Sequence, residues 1–141
     1  MTAHWALGLI GLPWEMGATG PSAFDCWGLV RHVQREQFGR EMPAVTIGSE
    51  EASNWAAIRS MVNRSDLGWH VVKDAKAGDV VTMKGMAGPH VGVVIEVGRY
   101  LKVLHSVGAP KQKNNMGVVA TPLTALSAMG YSRVEIWRAN S

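Results

Sequence analysis

Apolar residues recur at helical spacing up to about Arg64 and in short, dense runs after it, so periodicity divides the chain into a helical first part and a strand-rich second part. Ala3–Ile10 predicts a short helix with Trp5 and Leu9 turned inward and Leu7 a further candidate for that face, closed by Gly11 and broken by Pro13. Trp14–Ala23 carries Gly17, Gly20 and Pro21 and reads as a loop. Asp25 is a preferred N-cap residue, and Cys26, Leu29, Val30 and Val33 follow at i, i+3, i+4 and i+7, one face of a helix that stops at Gly39. Ser49, with Glu50 and Glu51 behind it, opens a second helix whose buried stripe is Trp55, Ile58 and Val62.

Six later segments read as strands, being rich in β-branched and aromatic residues and punctuated by glycine or proline: Trp69–Val72, Asp79–Met83, His90–Val97, Tyr100–Val107, Gly117–Thr121 and Arg133–Arg138. Leu123–Met129 predicts a short helix between the last two. The expected fold class is α+β, with N-terminal helices packed on a mostly antiparallel sheet of about five or six strands. A length of 141 residues, 47% of them hydrophobic, accommodates one core, so residues 1–141 are expected to form a single domain.

Composition narrows the function classes. No apolar run approaches the roughly 18 residues of a membrane-spanning helix. The apolar stretch Trp5–Leu12 follows no basic residue and leads into Pro13-Trp14-Glu15, not a small-residue cleavage site, so it is expected to belong to the fold and not to a signal peptide. A net charge of +3 is spread over scattered residues; Lys111 and Lys113 have no aromatic interleaving, which argues against nucleic acid as a partner. The single cysteine excludes an internal disulfide.

That cysteine begins a helix, where unpaired N–H groups and the dipole favour thiolate. Core packing is the competing explanation, since a lone cysteine is commonly a small buried residue. Candidate partners come from the turn Val97-Gly98-Arg99-Tyr100. A two-residue hairpin there sets Val97 opposite Tyr100 and, counting back, Gly92 opposite His105 and His90 opposite Val107. His90 and His105 then share a sheet face as diagonal neighbours, about 7–8 Å apart at the backbone. Two readings stand on these residues: a triad of Cys26, His90 and His105, or two unrelated structural histidines beside a core cysteine. Metal ligation is disfavoured by the lack of paired-ligand spacing, and no phosphate-binding glycine loop is present.

Four segments in order resemble the NlpC family of papain-like cysteine peptidases: Leu12-Pro13-Trp14, Phe24-Asp25-Cys26-Trp27-Gly28-Leu29-Val30, Ala77-Gly78-Asp79-Val80-Val81, and His90-Val91-Gly92-Val93-Val94. The resemblance implies a papain-like fold, Cys26 as nucleophile, His90 as general base and His105 as the orienting residue. It implies hydrolysis of peptidoglycan stem peptides at the D-glutamyl–diamino acid bond, with no cofactor and no metal. Trp14 stands where the family carries tyrosine and Trp27 where it carries serine. With Asp25, these two are the expected substrate-binding or oxyanion-supporting residues.

The D-C-W-G-L-V variant most resembles peptidases of phage tails and gene-transfer particles. It implies synthesis in the bacterial cytoplasm and phage tail-tip proteins as partners. Two rival functions remain on the sequence: a structural tail protein with an inert peptidase fold, and an amidase or acyltransferase using the same triad.

Overall fold

The computed structural model describes residues 4–42, 68–86, 88–109 and 112–140. Among them are one α-helix, α1 (Cys26–Phe38), and six strands: β1 (Trp69–Val72), β2 (Val80–Gly85), β3 (Gly88–Val97), β4 (Tyr100–Val107), β5 (Gly117–Pro122) and β6 (Ser132–Ala139). The strands form one sheet in the order β1-β6-β2-β3-β4-β5, with every neighbouring pair antiparallel. α1 lies against β3 and β4. The α+β expectation therefore holds, and the predicted second helix from Ser49 to about Arg64 lies outside the described residues.

α1 starts where Asp25, in extended conformation, turns its carboxylate back on the first turn and Oδ1 accepts from Gly28 N at 2.6 Å. It ends at Gly39, which is left-handed (φ 65°) and donates its N–H to Gln34 O. Leu29 and Val33 face the sheet with Phe24, meeting Val93, Ile95, Leu104 and Val118. The opposite sheet face is also covered, by a cluster of Val81, Met83, Val94, Val103 and Leu126. Burial of both faces explains why the strand sequences run apolar continuously, as in Val93-Val94-Ile95, and do not alternate.

Polar ties fix the helix and strand ends. Gln34 Nε2, fully buried, donates to Gly78 O at 2.8 Å and joins α1 to the approach to β2. Asp79 accepts from Lys76 N and, through both oxygens, from Arg138 Nε and Nη2 of β6. With its carboxylate so occupied, Asp79 closes a turn, and β2 begins one residue later than expected.

Two local expectations are corrected. Ala3–Ile10 was expected to be helical with Leu7 a candidate for its inner face; a 3-10 turn spans His4–Gly8, Ala6 is buried, and Leu7 is 73% exposed. At about three residues per turn, Ala6 and Leu9 eclipse on one side and Leu7 is carried away from it. Leu123–Met129 is two 3-10 turns, Leu123–Ala125 and Ser127–Met129, divided at the buried Leu126. Seven residues are too few to offset the cost of nucleating an α-helix.

Candidate active site

The hairpin that joins β3 to β4 pairs Val97 with Tyr100 and keeps that register down to Val93 and Leu104. Continued one step, it brings Gly92 beside His105. A Cβ at Gly92 would stand 2.5 Å from Val103 Cγ1 and 3.1 Å from His105 Cβ, so glycine is what lets the two strands close here. The histidines meet as the register requires: His90 Nε2 lies 2.7 Å from His105 Nδ1, with the rings edge-on at 5.0 Å. His105 is fully buried, and its Nε2 lies 2.8 Å from the hydroxyl of Thr121 on β5. A hydrogen-bonded chain thus runs from His90 through His105 to Thr121.

Cys26, at the start of the helix, lies against β3 at the residue after His90. Its sulfur takes hydrogen bonds from the backbone N–H groups of Val91, next to His90, and of Cys26 and Trp27 at the helix start. The Ser106 hydroxyl donates to Phe24 O at 2.7 Å, tying the residue after His105 to the segment that carries the cysteine. Gly28 permits the same approach from the other side. A Cβ there would run into the Ala18 carbonyl oxygen, which instead accepts from Asp25 N at 3.0 Å.

Charge in the site differs from the expectation of a ready thiolate. Burial, and then the neighbouring Asp25 carboxylate, push the Cys26 thiol up to about 12, outweighing the N–H groups that favour its anion. Burial likewise holds His90 well below its usual 6.5, with His105 adding to the effect, and lowers His105 to about 4. At neutral pH the resting groups are a protonated thiol and a neutral imidazole. For His90 Nδ1 to accept the thiol proton, His90 must carry its own hydrogen on Nε2 and donate it to His105 Nδ1; His105 then donates from Nε2 to Thr121 Oγ1.

The other three expected residues are placed as follows. Asp25 is buried with both carboxylate oxygens occupied, Oδ1 by Gly28 N and Oδ2 by Gly17 N, so it builds the loop and helix start and offers no free oxygen to a ligand. Trp27 was expected to shape the groove. It is instead enclosed, at 1% exposure, in the cluster of Val80, Val91, Trp69 and Trp137, because its position turns it toward the sheet end. Only its backbone N–H points to the sulfur. Trp14 is half-buried, bridges to Phe24 and lays its indole over Gly108, just beyond β4.

Thr121, Ser106 and Tyr131 escaped the sequence reading. Thr121 becomes visible only when β5 is registered on β4, with Val103 opposite Thr121 and His105 opposite Val119, and the connection between these strands carries no turn signature that sets it. Among the described residues no group of three or more histidine, cysteine, aspartate or glutamate side chains is arranged to hold a metal ion. No helix there is long and apolar enough to cross a membrane.

Known proteins resemble this chain in sequence and in fold. The chain is 30% identical over 99 residues to Murein DD-endopeptidase MepS/Murein LD-carboxypeptidase of Escherichia coli (strain K12), a match covering 70% of this chain and 45% of that protein. It is also 30% identical over 93 residues to Protein P54 of Enterococcus faecium, covering 65% of this chain and 15% of the relative. The chain therefore spans less than half the length of these relatives. Its fold matches the crystal structure of the NlpC/p60 domain of peptidoglycan hydrolase SagA with a TM-score of 0.56 and 23% identity, over 95% of this chain and 92% of that one. The NlpC/P60 family model matches residues 11–121, from the loop before Cys26 to the Thr121 that ends the histidine chain, and the protein belongs to the NlpC/P60 family.

Proposed function

We propose that this protein is a cysteine endopeptidase acting on the stem peptides of peptidoglycan, with Cys26 as nucleophile, His90 as general base and His105 as the residue that orients His90. The observation that carries this reading is the chain His90–His105–Thr121, with the sulfur of Cys26 held against the backbone N–H next to His90. Family membership and the names of the relatives point to the same substrate.

The reaction follows from the protonation states. Substrate binding displaces water and brings a carbonyl carbon to Cys26. The thiol proton passes to His90 Nδ1 as sulfur attacks, and the imidazolium is held by His105 through Nε2. The oxyanion that forms faces the main-chain N–H groups of Cys26 and Trp27, so the donors are backbone, not side chain. The C–N bond breaks as His90 returns the proton to the leaving amine. Water, deprotonated by His90, then hydrolyses the thioester, releasing a carboxylate and restoring the thiol.

The bond we assign is the one between D-glutamate and the diamino acid, as the motif resemblance implies. The name of the relative MepS favours a second candidate, a cross-link between stems. Purified peptidoglycan digested by wild type and by Cys26→Ala, with products identified by mass spectrometry, separates these. New amino termini on the diamino acid support the first bond, and loss of cross-linked dimers supports the second. Identical products from wild type and Cys26→Ala would remove the peptidase reading altogether.

We further propose that the protein works in a phage or phage-like tail, on the strength of the Asp25-Cys26-Trp27-Gly28-Leu29-Val30 variant. Co-purification with tail-tip proteins tests this. A stable complex combined with an inert thiol would instead favour a structural tail protein.

A further inference from the structure

Tyr131 belongs to none of the segments that carry the family resemblance, yet it is in ring contact with both histidines. It follows Gly130, left-handed at φ 94°, and precedes β6. Its ring lies nearly parallel to that of His90, with centroids 5.2 Å apart and planes at 16°, and meets His105 edge-on at 5.6 Å. Gly85 on β2 backs the contact, since a Cβ there would come within 3.0 Å of the tyrosine ring edge. His90 is thus fixed along one edge by His105 and across one face by Tyr131.

We propose that Tyr131 is a positioning residue acting through His90: its ring face holds the imidazole in line with Cys26 and stabilises the imidazolium formed when the thiol proton moves. This rests on the peptidase reading above. An aromatic face carries negative quadrupole density and attracts a cation more strongly when both are out of water. His90 meets His105 from β4 and the ring of Tyr131, and is paired on β2 with the untitratable Met83, while Cys26 from α1 acts electrostatically on Tyr131. Burial, and then Cys26, raise the Tyr131 phenol, so the ring stays neutral and its face remains available to a cation.

The ring and not the hydroxyl is decisive, which sets the experiment. NMR titration of the His90 ring in the full chain is compared among wild type, Tyr131→Phe and Tyr131→Leu. The phenylalanine variant should titrate as wild type, and the leucine variant should titrate lower by about one pH unit, a tenfold loss of preference for the imidazolium. On a soluble stem peptide, Tyr131→Leu should lose about tenfold in kcat with little change in KM and move the acid limb of the pH profile downward, whereas Tyr131→Phe should be nearly unaffected. Should the leucine variant fail to fold, Tyr131→Met carries the same comparison. An unshifted His90 titration in Tyr131→Leu, or equal damage in Tyr131→Phe, overturns the inference. The titration needs no turnover, so it succeeds or fails apart from the peptidase reading, which is lost only when Cys26→Ala matches wild type.

Discussion

His90 Nε2 and His105 Nδ1 share a hydrogen bond of 2.7 Å across β3 and β4, and the far nitrogen of His105 is anchored on Thr121. The two imidazoles therefore have unequal duties. His90 keeps Nδ1 outside this chain, whereas both nitrogens of His105 are engaged.

That inequality predicts graded losses. His90→Ala removes the proposed base and should lower the rate of stem-peptide cleavage by about 10²–10⁴-fold. His105→Ala leaves the base but frees its ring to rotate, and should cost about 10–100-fold, as for partners that orient a metal-bound histidine. Single-turnover rates measure both. An equal loss from the two variants would contradict the assigned roles.

Thr121→Val keeps the shape of the side chain and removes the partner of a fully buried nitrogen. Leaving His105 Nε2 unsatisfied should cost about 1–3 kcal/mol of stability in urea denaturation, whereas Thr121→Ser should recover most of it. A Thr121→Val protein as stable as wild type would show that the hydroxyl is dispensable to the chain.

Gly92→Ala tests the strand approach. The added methyl falls 2.5 Å from Val103 Cγ1 and 3.0 Å from Leu104 O, so overpacking should cost about 1–3 kcal/mol. Because the methyl also stands 3.1 Å from His105 Cβ, activity per folded molecule should fall as well. Stability loss with unchanged specific activity would separate Gly92 from the site.

Stability should depend on pH on both sides of neutrality. His90 and His105 have native values held below their usual 6.5, so below 6.5 the unfolded chain binds protons that the native state refuses. Stability is full above that point and is lost as pH falls through 6.5 toward about 4, at about 1.4 kcal/mol per pH unit for each histidine at the steepest. Cys26 acts in the opposite sense. Raised from 9.0 to about 12, it favours the native state below 9, and its contribution is lost as pH rises from 9 toward about 12. Urea midpoints at pH 5, 7.5 and 10 should peak at the middle value; a flat profile would show that these groups are not buried as described.

Sequence patterning alone determined the order of the described strands, the Asp25 cap, the helical start at Cys26 and the shared face of His90 and His105, because each rests on local periodicity or on one short turn. Glycine at position 98 was enough to set the β3–β4 register, which is why a contact fifteen residues apart in the chain was legible. The tertiary structure decided what depends on long-range closure. Trp27 is adjacent to Cys26 in sequence and was expected in the groove, but packing against Trp69 and Trp137 draws it into the core. Cys26 begins a helix, as the pattern required, yet the desolvation that accompanies burial outweighs the N–H groups there and keeps the thiol protonated. Thr121 and Tyr131 reach the histidines only through the pairing of β5 on β4 and the closure before β6. No periodicity encodes those approaches, since their residues are set together by the packing of the whole sheet.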